Sequence, residues 1–332
     1  MELIKPTYYD AFRCIAGACP DSCCKGWAVE IDSASAELYR NLSGELGDIL
    51  RQKMTEEDGQ IILSLNPDGR CPMWRDDGLC RIHAQLGEDA LCRTCADFPR
   101  LRHDYGDFVE LGLELSCPEA ARLILARRDS AVISSPVSGG DAPDYDADAM
   151  VILRRSRKEI LDFLTNTDLS AGDALAVLLL YGHAVQNELD GGDIALLDPE
   201  GDLQKAKRLA LPGSAQNVLD FFASLEILDP AWARRLSSPM DGNWQPEHLA
   251  MARYFIERYW LQAVSDIDLI GRVKLTVISC LAVKLLGGDV LETAQRYSKE
   301  IENDPENLDA ILDGAYTAAA LADRNLLGLL LD

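Results

Sequence analysis

Residues 14–24 read CIAGACPDSCC and set four thiols, Cys14, Cys19, Cys23 and Cys24, within eleven residues. Five more follow at Cys71, Cys80, Cys92, Cys95 and Cys117, and only Cys280 lies beyond them. A chain of 332 residues buries enough surface to need no staple for its core. The crowding at one end therefore points to a centre that sulfur holds. Adjacent Cys23 and Cys24 point in different directions in regular backbone. Both reach one centre only where the chain bends, and Gly17, Pro20 and Gly26 supply bends. Cys71 and Cys80 bracket a Gly/Asp-rich turn, Cys92 and Cys95 form a Cys-x2-Cys pair, and Cys117 precedes a proline.

Thiolates are soft ligands that suit zinc, iron or an iron–sulfur cluster. The near absence of histidine (His83 and His103 are the two in this region) and the Cys71–Pro72 and Cys117–Pro118 steps favour a cluster, of the 4Fe-4S kind. Zinc stays open, because Cys-x2-Cys pairs and tight turns serve it equally. A metal-free cysteine core explains burial but not clustering beside turns. A thioredoxin-like reading of Cys92–Cys95 fails on its surroundings, since CRTCADFPR runs quickly into proline.

The first residues carry no apolar run before a small-residue cleavage site, and apolar stretches such as Ala174–Tyr181 are too short to span a bilayer. A reducing cytoplasm, with no membrane association, is the expected setting, and there clustered cysteines hold metal more often than disulfides. Lys plus Arg number 32 against 55 Asp plus Glu, a net charge of -23 shared by both halves. Such a surface opposes nucleic-acid binding and suits a basic partner.

Three regions separate: a cysteine-rich region 1–128, a Ser/Gly/Pro/Asp linker 129–149, and a helical region 150–332. In the first, Asp32 or Ser33 begins a helix to Leu46 whose apolar face is Leu38, Tyr39 and Leu42. Short helices follow over Ile82–Leu86 and from about Ser116 to Arg128, with Pro118 in the first turn. The rear reads as helices Val151–Thr165, Asp173–Glu188, Ser214–Leu228, Pro246–Val264, Ile267–Leu286, Val290–Ile301 and Pro305–Leu327. The expected fold is mainly α, an irregular cysteine-rich metal-binding N-terminal region packed on an α-helical C-terminal domain. Cys280, inside TVISCLAVKLL, reads as helix core.

The segments PTYYDAFRCIAGACPDSCCKGWAVEID (6–32), DGRCPMWRDDGLCRIHAQLGEDALCRTCADFPR (68–100) and ELSCPEAARLIL (114–125) closely resemble the flagellin lysine-N-methylase family, whose front belongs to a wider group of zinc- or iron-chelating cysteine-cluster domains. The resemblance is strong over residues 6–125 and general in the rear. It implies methylation of flagellin lysines, or of another lysine-bearing protein, with S-adenosylmethionine, in a protein carrying an iron–sulfur cluster. By position it implies Cys19, Cys23, Cys24, Cys71, Cys80 and Cys95 as ligands of the wider group and Cys14 and Cys117 as those of the narrower one. Cys92 is an extra on this pattern.

No strand–glycine-loop–helix unit for the methyl donor is legible, and LLGGDVLET (285–293) reads as one helix ending and another beginning. The spacing of Cys14, Cys19 and Cys23, x4 then x3, is not the x3-then-x2 group of radical enzymes that cleave the same donor. Rings that could steady a lysine or sulfonium cation are Tyr8, Tyr9, Trp27, Tyr254, Tyr259 and Trp260, and Asp21, Glu30 and Asp32 could line a mouth. Core packing, capping or solvated surface explains each of these residues as well. The residues also admit an iron–sulfur or zinc protein of electron transfer, or a metal-stabilised protein-binding module.

Overall fold

The structure is a computed structural model and describes residues 1–25, 29–57, 59–240 and 242–332. It is mainly α, 57% helix against 11% strand. Among the described residues the strands are β1 (Glu2–Pro6), β2 (Val29–Glu30), β3 (Met54–Glu57), β4 (Gln60–Leu63), β5 (Arg100–Asp104), β6 (Phe108–Leu113) and β7 (Val132–Pro136). The first helices are α1 (Ser33–Asn41), α2 (Glu45–Lys53), α3 (Arg81–Leu86), α4 (Arg93–Asp97) and α5 (Pro118–Ala126). The later ones are α6 (Ala147–Asn166), α7 (Ala171–Leu189), α8 (Pro199–Leu209), α9 (Ala215–Ala223), α10 (Pro230–Ser237), α11 (Pro246–Tyr259), α12 (Leu269–Leu286), α13 (Val290–Ile301), α14 (Pro305–Thr317) and α15 (Asp323–Leu330).

The chain divides into two compact units. One is Phe12–Leu101 with Cys117–Glu119, here the cysteine unit. The other is Met1–Ala11, Arg102–Ser116 and Ala120–Asp332, the helical unit. These bounds differ from the division at 128 and 150 read from composition. The first strand belongs to the helical unit because β1 pairs in parallel with β6 (Leu3 opposite Val109) and antiparallel with β7 (Leu3 opposite Ser135), in the order β5-β6-β1-β7. Val132–Pro136, inside the stretch read as linker, is that last strand.

In the cysteine unit β2, β4 and β3 form a sheet in that order. The front of the chain is thus less irregular than its sequence suggests. The Asp32 carboxylate accepts from Ser35 N at 3.0 Å and starts α1. The helix stops at Leu42, which is extended, and Gly44, at φ +86°, turns the chain into α2. One expected helix is therefore two. Ala36, Tyr39, Leu46 and Leu50 face the core with Val29, Ile31, Leu63, Met73 and Ile82, whereas Leu38 stays exposed. Each fully buried large side chain stabilises by roughly 2 kcal/mol, and Tyr39 keeps its hydroxyl satisfied by donating to the Ala90 carbonyl at 2.7 Å.

The helical unit is built around α12, a mostly apolar helix buried on nearly every side, with Lys274, Thr276 and Ser279 among its buried residues. It packs against α7, α11, α13 and α14. A Cβ on Gly182 of α7 would sit 2.8 Å from the Val273 side chain, so glycine permits that close approach. Cys280 is fully buried here, as its apolar surroundings predict. The helix read over Pro246–Val264 becomes α11 followed by 3-10 turns from Trp260 to Ser265. That read over Pro305–Leu327 breaks at extended Ala318 into α14 and α15. Among the described residues no helix is long and apolar enough to cross a membrane.

Candidate metal centre

Nine cysteines fall in the cysteine unit, including Cys117, which the chain returns across fifteen residues of the other unit (Arg102–Ser116) to deliver. None of the ten cysteines is in a disulfide. An inner set, Cys24, Cys71, Cys80, Cys92 and Cys95, lines the hydrophobic core of the unit. An outer set comprises exposed Cys14 and Cys23 with half-buried Cys19 and Cys117.

Local backbone brings them together. Cys71 N donates to the Cys24 carbonyl at 2.8 Å, tying the first cysteine group to the second. Gly69, at φ +75°, closes the turn before Cys71, and Gly78, at φ +78°, closes the turn before Cys80. A Cβ on Gly17 would lie 2.9 Å from the Asp77 carbonyl, so glycine lets the Cys14–Cys19 loop press on that second turn. Trp74 then bridges to Cys80. Cys80 and Cys92 are the residues before the first turns of α3 and α4. Neither sulfur makes a side-chain cap hydrogen bond, but nearby backbone N–H groups act to lower these thiols, those of His83 and Ile82 for Cys80, that of Cys95 for Cys92 and that of Met73 for Cys71. Cys80 and Cys92 adjoin the N-termini of α3 and α4, whose positive dipole ends favour thiolate there.

Two thiol pairs result. The Cys23 thiol donates to Cys24, which pushes Cys23 up and, with the Ser22 hydroxyl, brings Cys24 down to about 7. The Cys95 thiol donates to Cys92, raising Cys95 and lowering Cys92. Burial lifts Cys71 to about 12 and also raises Cys80. Cys23 further feels Cys14 and Cys117, and Cys95 feels Cys24 and Cys23, so a continuous field of sulfur joins outer and inner sets. Among the described residues no three His, Cys, Asp or Glu side chains converge closely enough to hold one ion as they stand. The donor set nonetheless fits a soft metal centre, with paired thiols set against an apolar floor. Cys92, an extra on the pattern of the resemblance, belongs to the same inner set as Cys95.

The other candidate residues separate clearly. His103 lies in the helical unit, and His83 is exposed. Tyr254 and Tyr259 are buried, and both hydroxyls donate to Glu302, at 3.0 and 2.9 Å, beside Arg258 at 3.1 Å from the same carboxylate. Trp260 is buried with its indole N–H on Ser156 at 3.2 Å. These three rings are core, not a surface cage. Tyr8 has the Arg127 guanidinium 5.3 Å from its centroid, and Tyr9 has the Lys5 ammonium at 5.9 Å. Trp27 lies outside the described residues. Asp32 caps α1 and also accepts from Arg93 N, the Glu30 carbonyl accepts from Thr94, and the Asp21 carbonyl accepts from the Cys19 thiol. Gly287 ends α12 at φ +66° and Asp289 caps α13, so the Leu285–Thr293 stretch joins two helices as its sequence suggests.

A feature absent from the sequence reading is a cleft of about 410 Å³ beside the Cys71–Cys80 hairpin, lined by Trp74, Arg75, Asp76, Asp77, Arg81 and Gln85. Its only sequence signal is the WRDDG turn.

Comparison with known proteins gives three relatives. The lysine-N-methylase of Salmonella typhimurium is 35% identical over 142 residues, 40% of this chain and 35% of that protein. The lysine-N-methylase of Salmonella choleraesuis matches to the same extent. The flagellar biosynthetic protein FliU of Salmonella muenchen is 34% identical over 146 residues, 42% of this chain and 85% of that protein. The matched stretch spans about a third of the length of the two lysine-N-methylases. No family model and no solved structure matches the chain.

Proposed function

The chain belongs to the flagellin lysine-N-methylase family, and we propose from that membership that it methylates surface lysines of flagellin with S-adenosylmethionine, its cysteine unit holding an iron–sulfur centre. The observation that carries the reading is the match to two lysine-N-methylases and to a flagellar biosynthetic protein in a chain that gathers nine cysteines into one unit.

The donor supplies an electrophilic methyl group on a positively charged sulfur. A lysine that has lost its proton attacks this carbon in line. The N–C bond forms as the C–S bond breaks, its electron pair stays on sulfur as a neutral thioether, and the methylated nitrogen carries the positive charge. Free lysine is protonated at neutral pH, so the site must favour the neutral amine and hold it near contact. The net charge of -23 draws a basic surface toward the protein before that step. Cys24, Cys71, Cys80 and Cys95, with Cys14, Cys19, Cys23 and Cys117, are the residues that would hold the iron–sulfur centre, with Cys92 within reach of the same field. Thiolate ligation would fix the turns that these residues punctuate.

The test is incubation of anaerobically purified protein with S-adenosylmethionine and flagellin, followed by lysine mass analysis and by iron, sulfide and zinc determination. Methylated lysines together with iron and acid-labile sulfide are expected. Unmodified flagellin under conditions where the donor binds would overturn the methylation reading. Stoichiometric zinc without sulfide after reconstitution would overturn the cluster.

A further inference from the structure

The Cys71–Cys80 hairpin builds a cleft on a fixed frame. Trp74 N donates to the Cys71 carbonyl at 3.0 Å, Arg75 N to Leu79 O at 2.9 Å and Arg81 N to Met73 O at 2.8 Å. Trp74 and Arg81 are thereby held on one hairpin, and Gln85 lies one turn beyond Arg81 on the same face of α3. The cleft is an open, mostly polar-lined depression of about 410 Å³.

Its charges are unevenly satisfied. Arg75 is neutralised by Asp77 at 2.6 Å. Arg81 has only a 4.0 Å approach to Glu45, and its Nε is buried without a hydrogen-bond partner. Asp76 stays exposed at the tip of the turn. The half-buried Trp74 ring lies beneath the Arg70 guanidinium, 4.6 Å from its centroid. One guanidinium with an unpartnered Nε, one carboxylate, one amide and one flat indole describe a ligand that is zwitterionic at one end and aromatic at the other.

We propose that this cleft binds the methyl donor, an adenosyl amino-acid sulfonium. Trp74 stacks the purine, Arg81 takes the α-carboxylate through charge-assisted hydrogen bonds, Asp76 takes the α-ammonium, and Gln85 hydrogen-bonds the ribose or purine edge. The Arg75–Asp77 pair keeps an uncompensated cation away from the sulfonium. The proposal rests on the methyl-transfer reading and adds to it a place for the donor.

Calorimetric titration of the metal-loaded protein with S-adenosylhomocysteine and with 5′-methylthioadenosine, which lacks the amino-acid end, separates the parts. Arg81→Ala should weaken S-adenosylhomocysteine by about tenfold or more, the size of one charge-assisted hydrogen bond, and leave methylthioadenosine unchanged. Trp74→Ala should weaken both, and Trp74→Phe should restore much of the loss. Metal content and melting curve are checked in each variant, and Gln85→Ala, on an exposed position, serves where Trp74→Ala fails to fold. Parent-like binding in Arg81→Ala together with parent-like binding in Trp74→Ala, or in Gln85→Ala where Trp74→Ala does not fold, would overturn this site and leave the methylation reading standing. A parent protein that binds neither ligand would overturn both.

Discussion

Glu300 shows how a single buried acid ties loop to helix. It is 2% exposed, and its carboxylate accepts from Leu228 N at 2.9 Å and Asp229 N at 2.7 Å, where the chain enters α10. Burial raises it from 4.5 to about 7 despite those two donors. The folded protein therefore keeps a proton that the unfolded chain has already released, and stability falls as pH rises from about 4.5 to about 7, then levels off. Glu300→Gln removes the titration and retains one acceptor oxygen. Denaturation midpoints across this range should fall less steeply in the variant than in the parent, and equal slopes would refute the assignment. At the same scale, Cys24→Ala and Cys71→Ala should lose metal, because each sulfur lies in the inner set. Cys280→Ala should cost about 1–2 kcal/mol of packing and keep the metal. Metal analysis and melting on the three variants check that division.

Among the elements, α1 and α4 share one residue. Asp32 accepts from Ser35 N, which starts α1, and from Arg93 N, which opens α4 between Cys92 and Cys95. The Arg93 and Ser35 hydrogen bonds hold its carboxyl down at about 2. A depressed acid contributes fully above its unfolded value and loses that contribution as pH falls through about 2, so its effect is complete at neutral pH. Asp32→Ala should cost about 1 kcal/mol as a lost cap, and hydrogen exchange should quicken in both α1 and the Cys92–Cys95 turn. Faster exchange in α1 alone would deny the shared role.

Caps also mark what the sequence made legible. Asp289 before α13, Asp304 before α14 and Ser170 before α7 stand where their helices begin, and those helices were readable. Asp198–Pro199 and Asp229–Pro230 carry the same signal before α8 and α10, which went unread because those helices are short and interrupted by polar residues. The sheet β5-β6-β1-β7 was not legible for a different reason. The pairs that β1 makes with β6 and β7 join residues more than a hundred positions apart, and five-residue strands such as ELIKP have no local period to announce them. The thiols themselves were legible by type and spacing. Their division into inner and outer sets was not, because it depends on which turns fold against which core.

For the molecule as a whole, metal and fold are unequally coupled. The cysteine unit has a modest apolar core into which its inner thiols are built, so ligand binding there is also folding energy. The helical unit holds α6 to α15 around a buried α12 and contains only Cys280. Chelation of the metal-loaded protein should therefore leave most of the far-ultraviolet helix signal in place. Amide protection over residues 12–101 should collapse, while that of α7, α11 and α12 persists. In a thermal scan the chelated protein should lose an early transition and keep a later one. A single cooperative loss of all helix signal on chelation would mean that the helical unit also depends on the centre, and that the two compact units unfold as one.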